Sequence, residues 1–528
     1  MTTIATTLVP FRYKTFAVMW SAMLISNIGT WMHSIGASWL MTELSASPLI
    51  VSLVQTATTL PVFLFALLAG ALADIFNKRQ LLMLTNTSML VTTIIFAVMV
   101  WQGLMTEGLL LLFTFILGSF AAFMAPTWQS IVPRMVERSD LPQAVALSGV
   151  SINLSRAIGP ALAGLLISVY GLATPFFANA ISFLVILAAL WWWVYEKPSP
   201  TNTLPSERVW SAIRAGIRYV RYSQPMKNTL WHIVGFMFFA NTFWSLLPVI
   251  ARNQLGGNAT FFGLLMGAVG LGAVAGVFLL SSLRERYSAN QIVLIGSVLT
   301  AIVTAYFAIA QSQLLAVLLS SFFGAGWVLV LASVNVSAQQ ALPDWVRARG
   351  LAIFMMLTFG SMSLGSAFWG YMSDVVNVAT VMVIVAVGNV LFMLFAKRFE
   401  LQQGEHLDLT PSFNWPAPAT YTQISNDAGP VIIEVRYTIA RQDRQAFLEA
   451  IKDLRNFRIR DGGYHWCVYE DVEQEGCFVE HFMEESWLEH LRHHARITHA
   501  DQPVQDRVRA FHQGTKPPTV RHYLAAHA

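Results

Sequence analysis

Twelve stretches of mostly apolar residues, each long enough to cross a bilayer as a helix, constrain this chain more than any other feature it has. A spanning helix needs about 20 such residues. Six stretches run near 16–41, 47–73, 80–101, 108–131, 144–170 and 173–195, and six more near 229–251, 260–283, 289–311, 314–338, 349–373 and 377–396. The composition agrees. Of 528 residues, 55% are hydrophobic and only 12% are Asp, Glu, Lys or Arg, about half the ~25% of soluble proteins. A chain this apolar cannot keep its whole surface in water, so lipid solvates most of it. Two cysteines, Cys467 and Cys477, are too few for a disulfide scaffold or a cysteine-rich metal domain.

Charge splits the chain in two. Residues 1–400 hold 20 Lys and Arg against 11 Asp and Glu, while 401–528 hold 13 against 18, giving +9 and −5. Ten of the twelve histidines also fall after residue 400. The overall +4 therefore averages a membrane domain and a slightly acidic soluble one, and gives no argument for a nucleic-acid partner. The expected organisation is a six-helix bundle at 1–196, a central connection at 197–228, a second bundle at 229–399, a linker at 400–429 and an α+β domain at 430–528.

Basic residues set the orientation. With the N-terminus inside, the cytoplasmic segments hold eighteen of them, from Arg12 and Lys14 to Lys397 and Arg398, and the opposite side holds only Arg252. Both termini are then cytoplasmic. The short basic start leads into a run too long for the core of a cleavable signal. In the central connection, Pro198 and Pro200 precede a basic amphipathic helix over 206–222. Its stripe of Trp210, Ile213, Ile217 and Val220 and its Arg214, Arg218 and Arg221 suit the anionic inner leaflet, at about 1 kcal/mol per basic residue near the surface. Membrane lipid is thus an expected partner.

The halves repeat each other. Residues 131–138 (IVPRMVER) and 341–347 (ALPDWVR) stand just before the fifth and eleventh runs. At a constant offset of 206, Gly159, Gly164 and Leu172-Ala173-Thr174 match Gly365, Gly370 and Val378-Ala379-Thr380. Two six-helix repeats suit alternating access around a site between them near the midplane.

GALADIFNKR, from Gly70 to Arg79, resembles the loop 2–3 signature of the major facilitator superfamily. Gly70, Leu72, Asp74, Lys78 and Arg79 match, whereas Ile75 replaces a usual basic residue and Asn77 a usual glycine. RAIGPALAG, from Arg156 to Gly164, resembles the fifth-span motif of that superfamily's exporters through Gly159, Pro160 and Gly164, with Ala163 where a second glycine is common. With GTWMHSIGASWLMTEL (29–44), PTWQSIVP (126–133) and the tail, nearly the whole chain is similar to the MFS_3 or transmembrane secretion effector group, which includes the enterobactin exporter. The resemblance implies an all-α membrane protein of the twelve-helix major facilitator fold in a bacterial inner membrane. It implies export of a small molecule by alternating access, a proton as coupling ion and no cofactor.

Asp74, Lys78 and Arg79, with Gly70, sit where the second span meets the cytoplasm. A carboxylate there can cap a neighbouring helix and pair with the basic residues as a conformational latch; the plainer role is anchoring the topology. Arg156 lies about 12 residues, roughly 18 Å, into the fifth span. At that depth an exposed Arg costs about 2.5–3.5 kcal/mol, so it should face the interior. No Asp or Glu lies mid-span; Asp74, Asp374, Glu43 and Glu107 are near span ends. An unneutralised cation in a central cavity favours anionic or electron-rich cargo, and the alternative is a structural Arg paired with carbonyls or Asn153. His33 is the mid-depth group that titrates near neutrality, as a proton carrier or as hydrogen-bonded structure. Asn27, Gln55, Asn179, Asn241, Trp31, Phe239 and Trp244 are further cavity candidates. Gly263, Gly267, Gly272 and Gly276 allow close helix approach, and with no strand before them they are not a dinucleotide motif.

From residue 430 the period changes. Strands at 431–439, 464–469, 477–483 and 519–524 and helices at 442–457, 486–497 and 502–512 give the β-α-β-β-α-β order of a ferredoxin-like α+β domain. It also resembles the small dimeric barrels of antibiotic-biosynthesis monooxygenases, which implies a dimer through the sheet. His490 and His494 share a helical face, near His493, His499 and Glu489, but no further ligand is evident nearby, so no metal site is expected. Monooxygenase activity would rest on fold alone, and no enzyme is expected. The reading is an exporter of a siderophore-like or drug-like small molecule, anionic cargo fitting the cationic cavity. Its rivals are an importer of the same fold and a membrane-anchored enzyme or sensor whose tail carries the activity.

Overall fold

Each apolar run folds as a helix with its own start and stop signals. In the computed structural model, residues 8–193, 209–401, 408–410, 412, 420 and 424–526 are described, apart from the side chains of 71, 73–75, 209–212 and 495. The first six long helices are α1 (Lys14–Leu44), α2 (Pro48–Ile75), α3 (Lys78–Trp101), α4 (Glu107–Ile131), α5 (Leu141–Tyr170) and α6 (Thr174–Trp192). After the shorter α7 (Val209–Tyr222) come α8 (Gln224–Val249), α9 (Ala259–Arg284), α10 (Ala289–Phe307), α11 (Gln313–Gln340), α12 (Arg347–Val375) and α13 (Val378–Ala396). Ser47, Asn77 and Thr106 cap α2, α3 and α4 by accepting from backbone N–H groups of the first turn, and Ser288 with Gln291 forms a capping box on α10. Among the described helices, eleven combine the length and hydropathy of a membrane crossing. The remaining long one, α1, has 31 residues, and Ser21, Ser26, Asn27, Thr30 and Ser34 dilute its hydropathy.

The chain forms two compact units, and their division departs from the linear plan. One holds both six-helix halves. The other joins the C-terminal domain to α7 and to residues 337–351, between α11 and α12. In the first unit α1 packs on α5 and α6, α2 on α4, and α3 on α4 and α6, while α10 packs on α13. Phe16, Met19, Leu82, Phe183 and Leu190 fill one end of the first half, and Leu40, Val51, Phe96 and Phe176 the other.

The second unit carries the expected α+β order: β1 (Val431–Thr438), α14 (Arg444–Asp461), β2 (Tyr464–Glu470), β3 (Cys477–Glu484), α15 (Trp487–Arg496), α16 (Gln502–Arg509) and β4 (Thr519–Leu524). The sheet is antiparallel in the order β2-β3-β1-β4, as a ferredoxin-like sandwich requires. Val431, Ile433, Val435 and Tyr437 of β1 and Phe478 and Phe482 of β3 face Phe447, Ile451 and Leu454 of α14.

The lipid-facing assignment of α7 needs correction. Arg218 donates through Nε to the Arg460 carbonyl at 3.3 Å, Arg214 lies 3.5 Å from Glu485, and Tyr219 is buried. Ile217 of the supposed apolar stripe is 49% exposed. The helix therefore turns two of its three arginines to the tail, whose carbonyl and carboxylate oxygens supply the acceptors that lipid phosphates would have supplied. Trp210 lies outside the described side chains.

Candidate functional site

The repeat seen in the sequence is a packing rule in three dimensions. A Cβ on Gly159 of α5 would lie 2.5 Å from Trp31 Cβ and 3.1 Å from the Ile28 oxygen on α1. Its partner Gly365 of α12 meets the Phe238 oxygen on α8 at 2.4 Å. Gly164 would meet the Ala259 oxygen at 2.6 Å and Thr260 Cα at 2.9 Å on α9, and Gly370 would meet Ser52 Oγ at 1.8 Å and Leu49 Cα at 3.3 Å on α2. The first pair of glycines closes each half on itself; the second pair closes one half on the other. Small residues let backbones approach where lipid offers no hydrophobic drive. On α9, Gly263, Gly267 and Gly270 face α5, while Gly272 and Gly276 face Ser321 and Ala325 of α11, so the glycine series serves two contacts.

The crossing is tightened at the ends of these helices that lie away from the basic loops. Ser47 donates to Asp374 at 2.6 Å, Thr56 to the Ser363 carbonyl at 3.2 Å, and Thr260 to the Gly164 carbonyl at 3.2 Å. Arg252 donates to Thr42 Oγ1 at 3.2 Å and lies 5.9 Å from the Trp39 ring, which itself stacks on Phe262. Asp374 and Arg252 were legible only as a helix-end acid and a topology marker. Their charge at a helix end is the signal that marks them, but nothing in the linear order says which helix receives it.

Arg156 faces inward. Its guanidinium lies 5.4 Å from the Trp31 ring, a cation–π contact within the usual ~6 Å limit, and its Nε is buried without a hydrogen-bond partner. Among the described residues no carboxylate stands within ion-pair distance of it. Asn153 does not reach it and donates instead to the Gly149 carbonyl of its own helix at 2.9 Å. Asn27 and Gln55 are half-buried on α1 and α2. Trp244 also has a buried, unpartnered Nε1, and rests against Phe323 and Trp327. Asn241 ties α8 to α12 by donating to Ser366 Oγ at 2.6 Å and the Met362 carbonyl at 3.1 Å. Asn179 accepts from Ser182 at the α1–α6 crossing under Gly29. His33 is buried between Phe96 and Phe176, at 4.8 and 4.9 Å, with neither ring nitrogen hydrogen-bonded. It belongs to the first half's aromatic core, so the structure does not bring it or Asn179 to Arg156.

The loop signature divides likewise. Arg79 donates through Nε to the Leu190 carbonyl and through Nη2 to the Trp191 carbonyl, both at 2.8 Å. It therefore caps the C-terminus of α6, where a cation meets the negative end of the helix dipole. Asn77, in the usual glycine position, caps α3 by accepting from Arg79 N and Gln80 N at 3.0 and 3.3 Å. A Cβ on Gly70 would meet nothing within 4 Å. The Asp74 side chain lies outside the described residues. Lys78 is engaged in the structure.

The tail contains two buried glutamates on the inner face of β3. Glu480 accepts from Arg458 Nε at 2.9 Å, Trp466 Nε1 at 3.0 Å and Tyr437 OH at 3.0 Å. Glu484 accepts from His490 Nδ1 at 2.7 Å and from His493 Nδ1. His490 Nε2 lies 3.2 Å from His494 Nε2. The third member was missed in the linear reading: His522 of β4 stands with its ring 4.6 Å from that of His490. Glu489 instead pairs with Arg492 and Arg496, and His499 is exposed. A second polar knot lies beside it. Arg460 binds Asp461 and Asp501, each at 2.7 Å, and lies 5.4 Å from the Tyr219 ring. Tyr219 donates to the Ala341 carbonyl at 3.1 Å, and Arg496 lies 4.6 Å from the Trp345 ring. Tyr219 is pushed up to about 12, chiefly by burial.

Burial first, and the neighbouring His490 second, hold His494 and His522 down at about 4. Both therefore stay neutral in the folded tail, while the unfolded chain protonates them near 6.5. Between those values the unfolded state binds more protons, so stability falls as pH falls through this window and is complete above it. Glu484, His490 and His493 are the titratable groups around them. Protection factors of β4 and α15 amides in the full chain, taken against the slower intrinsic exchange at low pH, should fall on going from pH 6.5 to 4; unchanged protection would contradict this arrangement.

The transmembrane secretion effector family, MFS_3, matches residues 5–528 of this chain. The staphyloferrin A transporter of Staphylococcus aureus is 23% identical over 376 residues, covering 70% of this chain and 92% of the relative. The enterobactin exporter EntS of Citrobacter koseri is 24% identical over 332 residues, covering 61% and 76%. Among solved structures, an inward-facing bacterial homologue of the lysosomal transporter Spinster superposes with a TM-score of 0.57 at 15% identity, covering 74% of this chain and 96% of that one. A POT family transporter bound to a thioalcohol-conjugated peptide gives 0.60 at 12% identity, covering 73% and 96%. These two show the fold.

Proposed function

The chain belongs to the transmembrane secretion effector family, and from that premise we propose that it exports a siderophore-like or drug-like anionic small molecule by alternating access. It is a multi-pass membrane transporter of the major facilitator fold and not an enzyme. The observation that carries the choice of cargo is Arg156, an interior guanidinium on Trp31 with a buried unpartnered Nε. A desolvated cation of this kind is stabilised by an anionic or electron-rich ligand, and the named relatives handle siderophores. The basic loops support both termini in the cytoplasm, and the bacterial relatives support an inner-membrane location. In that orientation the contacts from Ser47–Asp374 to Arg252–Thr42 lie at the outer end, which supports a conformation closed on that side. Gly70, Asp74, Lys78 and Arg79 are read as the latch of the opposite state, and the open space at Gly70 leaves room for a helix to approach. Proton coupling is part of the same proposal.

Everted vesicles should accumulate a catecholate or carboxylate siderophore under a proton gradient and lose it when a protonophore is added. Uptake only by whole cells would favour the importer reading. Arg156→Gln should weaken anionic cargo by roughly 10- to 100-fold, a charged hydrogen bond contributing about 1.5–3 kcal/mol, with Arg156→Lys retaining part of it. Equal transport by all three forms would remove Arg156 from the site.

A further inference from the structure

We infer that the tail carries a site for a divalent first-row transition ion of the zinc class, held by His490, His494 and His522 with the fourth position open. The claim is independent of the cargo and direction proposed above. Among the described residues, these three form the one group of metal-type side chains whose ligand atoms converge, all within 4.8 Å of one another. Three separate pieces of the fold bring them together. Ser486 caps α15 by accepting from Glu489 N, so the helix begins at Trp487 and sets His490 and His494 one turn apart on the same face. β4 pairs with β1 so that His522 lies opposite Ile433. Directly paired residues point to the same side of a sheet, and Ile433 is buried in the helix-covered face. His522 therefore rises toward α15.

The chemistry of the cluster is that of a metal site as well as of a hydrogen-bonded histidine pair. Glu484 can only accept, so the Nδ1 of neutral His490 carries the proton and its Nε2 presents a lone pair. That lone pair points at His494 Nε2, 3.2 Å away. Two imidazole nitrogens on a tetrahedral zinc, each at about 2.0–2.1 Å, stand roughly 3.3 Å apart. His522 supplies the third edge, its ligand atom within 4.8 Å of the other two. A carboxylate behind a histidine ligand is the usual orienting arrangement at metal sites, and Glu484, fully buried, holds that position. His493 shares Glu484 through its own Nδ1, which fixes the carboxylate and keeps His493 as support. Trp487 lies beside His490 and His522, at 5.3 and 6.3 Å, and walls one side. His494 and His522 are only partly buried, which leaves an ion a route in. Imidazole-only donors select zinc, copper, nickel or iron over calcium and magnesium. The two cysteines are not part of the cluster: Cys467 is exposed on β2 and Cys477 opens β3.

The test uses the full-length protein without a histidine tag, purified in detergent, stripped with chelator and titrated with zinc chloride against a chromophoric competitor. One zinc per chain is expected. His494→Ala and His522→Ala, both at partly exposed positions, should each weaken zinc at least tenfold, and Glu484→Gln by roughly 10–100-fold, as loss of the carboxylate that orients a histidine ligand does. Cobalt(II) in the same protein should show the intense visible bands of a four-coordinate ion, and the double variant H494A/H522A should lose them. Equal zinc binding by the wild type and H494A/H522A would overturn the proposal, since any bound metal would then sit elsewhere. So would a wild type that binds no zinc, which would leave His490 and His494 as a hydrogen-bonded pair only. His499→Ala, on an exposed histidine outside the cluster, should bind as the wild type does; loss there would equally count against the site.

Discussion

Gly164→Leu and Gly370→Leu should each sharply reduce transport in cells that still contain the protein at normal level in the membrane. At both positions the new side chain enters the surface on which one half meets the other. Gly164 faces main-chain atoms of Ala259 and Thr260, and Gly370 faces Ser52 and the backbone of Leu49. Main chain on a packed helix cannot step aside as a flexible side chain can, so the halves must part. Overpacking costs about 1–3 kcal/mol, and that cost falls on the conformation closed at this end and not on one open there. A differential of this size shifts the ratio of two states by roughly 5- to 150-fold. Because the two glycines are repeats of each other, the two variants should behave alike. A cysteine placed at Ser47, in a background with Cys467 and Cys477 replaced, should become more reactive to an impermeant thiol reagent in either variant. Normal transport with unchanged labelling would mean that these glycines do not hold the two halves closed at this end.

Glu480→Ala should destabilise the tail by about 3–5 kcal/mol, the usual cost of removing one partner of a buried ion pair. Glu480 is 0% exposed and the Arg458 side chain 6%. The substitution removes the carboxylate that neutralises Arg458 and the acceptor used by Tyr437 and Trp466. In the full chain, amide exchange in β1 and β3 should speed up by roughly 10²–10⁴-fold. Glu470→Ala provides the contrast. Its partner Arg444 is even closer, at 2.7 Å, but both side chains are more than 40% exposed, and such pairs contribute only about 0–1 kcal/mol. Similar effects from the two substitutions would mean that Glu480 is not the buried centre described here.

Much of the architecture could be read from residue order. Hydropathy located the helices because burial in lipid acts on every residue of a run at once, and the change of period after residue 430 located the strands and helices of the tail in their chain order. Arg156 was legible because a charge at that depth has few places to go. The partners were not. Arg79 was read as one element of a latch, yet it caps α6 across 111 positions of sequence. His33 was read as a proton carrier or as hydrogen-bonded structure, and it is packed between two phenylalanines with neither ring nitrogen hydrogen-bonded. The amphipathic α7 offered the right pattern for a lipid surface, but a basic helix is satisfied equally well by carboxylates and carbonyls, and periodicity cannot tell the two apart.

What residue order determined by itself is everything set by local or cumulative preference: the crossings, their duplicated motif, the basic loops and the strand–helix order of the tail. Only the tertiary structure decided which glycines close the two halves together, and that His522 joins a helical pair some thirty residues earlier in the chain. Transfer of apolar surface is non-directional and adds along a sequence. A hydrogen bond, an ion pair or a backbone contact depends on one distance and one angle between residues that the fold alone brings together.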